Sequence, residues 1–536
     1  MAWSLLIKNG TVIDGSGAVR DRADVAIAGD RIVAVAAGLP DNAERIIDAT
    51  NLVVAPGFID IHSHSDFFYE QCPSAESKIR QGVTTEVVGM CSFSPAPVTA
   101  ESRHQVEIAA NSLGATLNVR WSTFDQYLDA LEQAHPSINV VHFVGHGPIR
   151  YAAMGGANRA PSPAELETMK ALLAEAMTAG AFGLSSGLVY APSAFAKTEE
   201  LIALCRSMAG RGGQYFTHMR GEAHTLLESV SEAVRISEEG EVPLQIAHLK
   251  SVGRENWPLF DRALEMIDAA RRRGLNATAD VYPYAASSTF MSALLPDWVH
   301  DGGISKAIER IRDPAIRQRL IARHSAPDGR WQAPQGTMEW GEIVIATCPS
   351  PADEGLSLAE LAAKRGKPAA DAMLDLLSEH DAAVSMVMFT QAEDNVQKAL
   401  RQPYVMIGSD SLGLSHGPGP HAGRPHPRMY GTFPRVLGKY ARDAKLFSHE
   451  EAVAKMTGQP ATKLNLRQRG FVRQDYFADL ALFDPETVRD EATFEEPHRY
   501  PSGIPYVIVN GNVVVDGGRF NARSAGRILG RGSATQ

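Results

Sequence analysis

Residues 56–64 read Pro56-Gly57-Phe58-Ile59-Asp60-Ile61-His62-Ser63-His64 and combine a strand pattern with two closely spaced histidines. Phe58, Asp60, His62 and His64 alternate with apolar or small residues, which is typical of a short buried strand. Because strand side chains repeat every two residues, the imidazoles of His62 and His64 face the same space beyond the strand. Two converging neutral imidazoles can bind a divalent metal ion. Two hydrogen-bonded histidines in a polar core would show the same spacing, so this motif alone leaves both interpretations open.

The bulk composition describes an ordinary globular protein. The chain has 536 residues, which suggests about two to four domains. A net charge of −10 provides no basic patch, so we expect a small-molecule substrate and neither nucleic acid nor a membrane as partner. The four cysteines are too scattered for a disulfide framework. With no signal peptide and no apolar run of roughly 20 residues, the sequence predicts a cytoplasmic protein.

Both ends of the chain carry an Asn-Gly pair between apolar runs, Asn9-Gly10 and Asn510-Gly511. Asn and Gly tolerate a positive φ, so each pair predicts a hairpin turn, and Gly29-Asp30 predicts a third. Isolated hairpins are marginally stable. We therefore expect residues 1–55 and 468–525 to pack as one small β-sandwich domain, with two unrelated hairpins as the alternative.

Between these ends, short apolar runs alternate with helical segments, the pattern of a parallel sheet with crossover helices. Eight candidate strands centre on residues 59–61, 85–88, 140–144, 183–185, 215–217, 244–247, 277–282 and 405–408. They predict an α/β fold, a closed (β/α)8 TIM barrel over residues 56–286 and 348–467. About 120 residues separate the last two strands, which is too many for one connection. Residues 287–347 are therefore predicted to form an inserted subdomain or lid.

Residue types that bind metals recur at the carboxyl ends of these strands. In chain order they are His62 and His64, Cys91, His218, His248 and Asp410, after strands one, two, five, six and eight. A lone buried cysteine is usually a small hydrophobic residue, but a barrel would gather all six residues in one pocket. A thiolate with imidazoles favours zinc, and three protein ligands with an open position would make a catalytic site.

These same positions carry a family resemblance. The chain resembles the amidohydrolase superfamily in its opening stretch, its strand-end histidines and aspartate, and the closing Ala478-Asp479-Leu480-Ala481-Leu482-Phe483-Asp484. Within it, the chain resembles the D-aminoacylase (N-acyl-D-amino-acid deacylase) family. The more specific matches are Gly89-Met90-Cys91, Thr217-His218-Met219-Arg220-Gly221-Glu222, His248-Leu249-Lys250-Ser251, Tyr282-Pro283-Tyr284 and Gly431-Thr432-Phe433-Pro434-Arg435-Val436-Leu437. The similarity covers nearly the whole chain and implies zinc-dependent hydrolysis of N-acyl-D-amino acids to a carboxylate and a free D-amino acid.

The resemblance also implies which residues bind metal. Cys91, His218 and His248 would hold one tight zinc ion. His62, His64 and Asp410 would surround a second, weaker position. Many binuclear amidohydrolases place a carboxylated lysine after strand four, where this chain has none between residues 182 and 190. This argues against a hydantoinase or dihydropyrimidinase, and cysteine fits as the replacement anionic ligand.

A mechanism follows from these residue types. Zinc lowers the pKa of a bound water and polarises the scissile carbonyl. Asp410, the only carboxylate among the candidate residues, can take the proton of the water and pass it to the leaving nitrogen. Pure metal ligation is the alternative role for Asp410. His64 or His146 could add a hydrogen bond to the developing oxyanion.

Substrate contacts are predicted around the same pocket. Lys250 lies two positions beyond His248 and should share its cavity, where a buried lysine needs an anion such as a substrate α-carboxylate. Tyr282 and Ser288 could donate to that carboxylate, and Tyr190 is a further candidate. Arg220 and Glu222 could instead form an ion pair that holds a loop.

Two rival functions stay open. One is an amidohydrolase that acts on a cyclic amide, lactone or dipeptide with the same site. The other is a non-catalytic relative in which the barrel is an assembly scaffold, although such proteins typically lose their metal ligands. The sequence does not predict the acyl or side-chain preference, the occupancy of a second metal position, or the oligomeric state.

Overall fold

Both ends of the chain contribute to one nine-stranded sheet in the computed structural model, which describes residues 3–112, 114–325, 338–415, 423–521 and 524–530. The strands of this terminal sheet are Leu5–Val12, Asp21–Ala28, Arg31–Ala36, Ile46–Asp48, Val53–Pro56, Leu480–Phe483, Tyr506–Val509, Asn512–Asp516 and Arg519–Phe520. The two ends meet where Val53–Pro56 pairs antiparallel with Leu480–Phe483. A separate apolar cluster, which includes Ile7, Val25, Leu482 and Ile508, packs on this sheet.

Two of the three predicted hairpin turns are present. Asn510 and Gly511, with φ of 46° and 77°, link two antiparallel strands, and Gly29 lies in the turn before Arg31–Ala36. The turn predicted at Asn9-Gly10 is wrong, because Leu5–Val12 is one continuous strand. Its register with Asp21–Ala28 shifts between Ile7 and Gly10. Asn9, with φ of 62°, lies in a β-bulge, which selects the same residue types as a tight turn.

The central unit is a barrel of eight parallel strands. They are Phe58–Asp60, Val83–Val88, Asn139–His142 with its continuation Val144–Gly145, Gly183–Gly187, Gln214–His218, Leu244–Ile246, Ala277–Val281 and Val405–Ile407. Each strand pairs with the next, and the short strand Ile528–Leu529 adds to the third. The ring closes where the Asp410 amide donates to the His62 carbonyl at 2.8 Å and the His64 amide to the Ser411 carbonyl at 2.9 Å. The predicted fold class, a TIM barrel with a small β domain from both termini and an insertion before the last strand, is confirmed.

Helices cover the outside of this barrel. They are Glu76–Ile79, Arg103–Ser112, Phe124–Gln133, His146–Met154, Pro163–Ala179, Thr198–Met208, Leu226–Gly240, Leu259–Arg272 and Glu393–Arg401, with Arg428–Arg435, the π-helix Val436–Asp443, His449–Met456 and Gly458–Lys463 after the last strand. The longest shows why such segments fold locally. Ser162 and Glu165 form a capping box at its start, Pro163 occupies the first turn, and Gly180 follows its end.

The insertion before the last strand is longer than predicted. It contains the strands Ser287–Phe290, Ile343–Thr347 and Ser385–Met388 and the helices Ile304–Arg312, Pro314–Ser325, Leu358–Arg365 and Ala369–Glu379. Ser385–Met388 is the central strand of this antiparallel sheet, and a separate apolar core runs from Met291 to Met388. Part of the predicted 287–347 segment, residues 326–337, lies outside the described residues. The barrel assigned from residue 348 therefore resumes only after Met388, because a third strand is needed to complete the sheet of the insertion.

No helix among the described residues is both long and apolar enough to cross a membrane.

Candidate active site

The six predicted metal ligands lie together beyond the carboxyl ends of the barrel strands. His218 is the last residue of its strand, and the other five follow closely after theirs. His64 is half-buried and the rest are buried. Parallel strands in a closed barrel all end at one face, so residues far apart in sequence meet in a single pocket there.

The candidate ligand atoms lie close enough together to share bound metal. Cys91 Sγ lies 3.2 Å from His62 Nε2 and 3.5 Å from His248 Nε2, and His248 Nε2 lies 2.9 Å from His218 Nδ1. Tetrahedral zinc, with bonds of about 2.0–2.3 Å, holds its ligand atoms roughly 3.3–3.6 Å apart. The ligand atoms of His62, Cys91, His248 and Asp410 all lie within 4.8 Å of one another. A thiolate, imidazoles and a carboxylate at this spacing suit a divalent cation.

The backbone turns sharply at three of these strand ends. Cys91, His248 and Asp410 have φ of 52°, 35° and 49°, a left-handed conformation that costs non-glycine residues on the order of 1–3 kcal/mol each. Gly187, at the end of the fourth strand, allows the Cys91 turn to approach, because a Cβ there would lie 2.3 Å from the Cys91 carbonyl oxygen. Strain of this kind concentrates at active sites, where the surrounding structure holds it in place.

The electrostatics of the pocket favour a bound cation. Burial raises the pKa of the Cys91 thiol, but the neighbouring His62 and His248 lower it well below its ordinary value. Burial also raises the pKa of Asp410, yet Arg428 and His62 hold that pKa well below its ordinary value. Positively charged neighbours therefore keep both side chains anionic, the form of thiol and carboxyl that can bind a metal.

Asp280 contacts two of the candidate ligands, His62 and His248. Its Oδ1 lies 3.1 Å from His62 Nδ1 and accepts the backbone N–H of His248 at 2.8 Å. Its Oδ2 accepts a hydrogen bond of 2.8 Å from Gln245. With the Asp280 carboxylate on one ring nitrogen, the other, His62 Nε2, faces Cys91 Sγ at 3.2 Å and Asp410 Oδ1 at 3.4 Å. The sequence prediction missed Asp280, although strand periodicity places it two residues before Tyr282.

Lys250 lies in the pocket, but the premise that it lacks an anion within the protein is wrong. Its Nζ donates to Glu222 Oε1 at 2.6 Å and lies 2.6 Å from His248 Nδ1. Burial raises the pKa of Glu222, but Lys250 and the nearby histidines lower it to about 2. Glu222 is thus a second buried carboxylate of the site. The alternative pairing is absent, because Arg220 binds Glu232 at 2.9 Å.

Arg428 was not predicted and is central to the site. Its Nη1 lies 2.7 Å from Asp410 Oδ2, and its Nη2 donates to the Ser288 carbonyl at 3.1 Å. The guanidinium carbon lies 4.6 Å from the centre of the Tyr282 ring. Lys250 Nζ lies 5.8 Å from the same ring centre, so Tyr282 is close to both cations. Nothing local marks Arg428 in the sequence, since it follows the last strand at a distance and opens a helix.

Tyr190 forms a wall of the pocket. Its ring lies 5.1 Å from the His218 ring and 5.0 Å from the Phe93 ring, measured between centroids. Its hydroxyl is 2.7 Å from the Thr289 hydroxyl of the insertion. Together these residues and all the candidate ligands except His62 line a cavity that opens to solvent, with an empty volume of about 1080 Å³.

His146 does not line this cavity. Its Nδ1 lies 2.8 Å from the Ser193 hydroxyl and its Nε2 lies 3.0 Å from Glu200 Oε1, so both ring nitrogens are engaged in a buried network. Of the two residues suggested as an oxyanion donor, only His64 faces the cavity.

Comparisons with known proteins show which family the chain resembles. A family model described as "Amidohydrolase family" matches residues 45–515. D-aminoacylase from Alcaligenes xylosoxydans xylosoxydans is 38% identical over 533 residues, 99% of this chain and 98% of that protein. N-acyl-D-glutamate deacylase from the same organism is 35% identical over 98% of this chain and 96% of that protein. The crystal structure of N-acyl-D-glutamate deacylase from Bordetella bronchiseptica, complexed with zinc and a phosphonate inhibitor, aligns with a TM-score of 0.84 at 33% identity, covering 99% of this chain and 100% of the other.

Proposed function

The chain belongs to the amidohydrolase family, and we propose that it hydrolyses N-acyl-D-amino acids to a carboxylate and a free D-amino acid. The observation that carries the proposal is the convergence of Cys91, three strand-end histidines and Asp410 on one cavity that also holds Arg428 and Lys250. The first group suits a metal that would activate water for attack on an amide, and the two cations suit an anionic substrate.

The proposed cofactor is zinc. Cys91, His218 and His248 would hold the tight ion, and His62, His64 and Asp410 would surround a weaker second position. When bound, zinc lowers the pKa of a water molecule towards about 7 and polarises the scissile carbonyl. The relative with a phosphonate inhibitor was also crystallised with zinc, which supports the choice of ion.

Asp410 is proposed as the proton carrier. Its Oδ1 lies 3.1 Å from His64 Nε2, and its Oδ2 faces Arg428, so it sits between the metal ligands and the cation. Because its pKa is held low, it is ionised before the reaction and can accept a proton from the attacking water. The C–O bond then forms, the C–N bond breaks, and Asp410 returns the proton to the departing amine nitrogen.

Arg428, Tyr282, Lys250 and Ser288 are proposed to bind the α-carboxylate. All four line the cavity, where Tyr282 is close to both cations and Arg428 contacts Ser288. Arg428 and Lys250 are already paired with Asp410 and Glu222, so each would share its charge with the substrate. Anchoring the carboxylate places the amide carbonyl beside the metal ligands, and such orientation can contribute several kcal/mol to catalysis. Fixing carboxylate, carbonyl and side chain together would select one enantiomer.

A comparison of substrates tests this function against the cyclic-amide alternative. Zinc-loaded protein should cleave N-acetyl-D-leucine much faster than its carboxamide, and should leave the cyclic amide dihydrouracil unchanged. Arg428→Met should slow the acid towards the rate of the carboxamide, since a charged hydrogen bond is worth roughly 1.5–3 kcal/mol. Faster opening of dihydrouracil than of the linear amide would overturn the proposal.

We also propose that the enzyme acts in the cytoplasm on a small diffusible substrate. The four cysteines are all free and buried, which suits a reducing compartment.

A further inference from the structure

A second cavity adjoins the one that holds the candidate metal ligands. Its volume is about 1180 Å³, and it lies between the loops after barrel strands two to four and the insertion. Phe93, Val189, Tyr190, Phe290 and Ala293 line both cavities and form the shared wall. The rings of Phe93 and Phe290 are 5.3 Å apart, and those of Tyr190 and Phe290 are 6.2 Å apart. We call this space the outer cavity.

The outer cavity is suited to an uncharged, apolar group. Among the described residues that line it there is no Lys, Arg, Asp or Glu. Its walls include Val106, Ala109, Phe195, Leu295 and Ile304. The one histidine in the lining is His300, whose Nε2 lies 3.1 Å from the Ser292 carbonyl. Burial lowers the pKa of His300 to about 4, so it too is neutral near pH 7.

The position of the outer cavity indicates which part of a substrate would reach it. The proposed carboxylate-binding residues follow barrel strands six, seven and eight, whereas Phe93 and Tyr190 follow strands two and four. In a closed barrel of eight strands, strands two to four lie opposite strands six to eight. An N-acyl amino acid carries its carboxylate on one side of the scissile carbonyl and its acyl group on the other. With the carbonyl at the metal ligands between them, the acyl group points towards the outer cavity.

We infer that the outer cavity is the acyl-binding site, and that the substrates are D-amino acids with N-acyl groups longer than acetyl. This inference rests on the proposed function and deepens it. An acetyl group ends near the shared aromatic wall, whereas a longer alkyl or aryl acyl group continues past it among apolar side chains. Each methylene removed from water should improve kcat/KM by roughly fourfold until the cavity is filled.

The test is a chain-length series on zinc-loaded, full-length protein. The substrates are N-acetyl-, N-butanoyl- and N-hexanoyl-D-leucine, and kcat/KM should rise from acetyl to hexanoyl by a factor of order 10². Ala109→Phe and Ile304→Trp both introduce a large ring into the lining of the outer cavity, so each should remove most of that rise and leave the N-acetyl rate nearly unchanged. Asn111 lies on the same helix as Ala109, is exposed and does not line the cavity. Asn111→Phe is therefore the matched control.

Three results would overturn the inference while leaving the proposed function intact. The first is cleavage of N-acetyl-D-leucine at a rate equal to or above that of the hexanoyl substrate. The second is an equal loss for all chain lengths in both cavity-filling variants. The third is a gain from a longer amino-acid side chain at fixed acetyl that Ala109→Phe abolishes, since the cavity would then hold the side chain. Failure to cleave any member of the series would instead contradict the proposed function.

Discussion

Asp410 contacts both the candidate metal ligands and the residues proposed to bind the substrate. Its Oδ1 lies 3.1 Å from His64 Nε2 and its Oδ2 lies 2.7 Å from Arg428 Nη1. One carboxylate therefore contacts both a candidate metal ligand and a candidate substrate ligand. Its left-handed φ of 49° holds it in this position directly after the last barrel strand.

Replacing Asp410 should separate metal binding from turnover. Asp410→Asn keeps the shape of the side chain but cannot accept a proton, so kcat should fall by roughly 10²-fold or more. Zinc content, measured by mass spectrometry of the dialysed protein, should stay near that of the wild type, because Cys91, His218 and His248 remain. Wild-type turnover in the variant would assign the proton transfer to another group.

Cys91 should determine metal affinity. Cys91→Ala removes an anionic ligand and should lose most of the zinc from a protein that otherwise binds about one ion per chain. The matched control is Cys348→Ala, a buried cysteine in the core of the insertion, which should retain its zinc. Full zinc occupancy in Cys91→Ala would exclude this thiol from the metal site.

A buried lysine, Lys78, connects the ends of three barrel strands. Lys78, fully buried, donates to Asp60 Oδ2 at 2.7 Å and to the Ser409 hydroxyl at 2.7 Å, and lies 3.3 Å from Glu86 Oε1. It thus ties together barrel strands one, two and eight just below His62 and Asp410. Lys78 belongs to the helix Glu76–Ile79 and not to a strand, so no local pattern predicts the contact.

Lys78→Met should destabilise the protein because it leaves two buried carboxylates without a counter-charge. A loss of about 3–5 kcal/mol is expected for breaking a buried ion pair, seen as a lower urea midpoint or loss of soluble protein. Lys306→Met, in an exposed pair with Glu309, should leave the midpoint nearly unchanged. Equal midpoints for the two variants would contradict the role of Lys78.

Local sequence patterns predicted where strands lie better than they predicted which strands pair and which side chains meet. All eight barrel strands coincide with predicted apolar runs, because a buried parallel strand needs such a run. Ser385–Met388 is an equally ordinary apolar run, and only its antiparallel neighbours show that it belongs to the insertion. For the same reason the sequence could predict that six candidate ligands converge at the strand ends, whereas the positions of Arg428, Glu222 and Asp280 depend on contacts made after folding.

Strands from both ends of the chain form one sheet, separate from the barrel. Val53–Pro56 leads into the first barrel strand and pairs with Leu480–Phe483. One apolar cluster contains residues of Leu5–Val12 and Asp21–Ala28, together with Leu480, Leu482 and Ile508. The strand Val53–Pro56, which leads into the barrel, therefore has its pairing partner and its full apolar cluster only when residues after 477 are present.

A chain that ends at residue 476 should lose cooperative folding. It exposes the edge of Val53–Pro56 and the apolar cluster beneath it, so we expect aggregation in size-exclusion chromatography and no sharp thermal transition by circular dichroism. A chain that ends at residue 530 keeps every strand of the terminal sheet and should melt like the full-length protein. A monomeric, cooperatively melting 1–476 chain would contradict the interdependence of the two ends.

Hydrolysis of N-acyl-D-amino acids by this pocket can be tested with a racemic substrate. Zinc-loaded protein is incubated with N-acetyl-DL-leucine, and acetate and both leucine enantiomers are quantified by chiral chromatography. We predict that the reaction stops at half conversion, with acetate and D-leucine released in equal amounts. Release of L-leucine at a comparable rate, or no release of either enantiomer, would contradict the account.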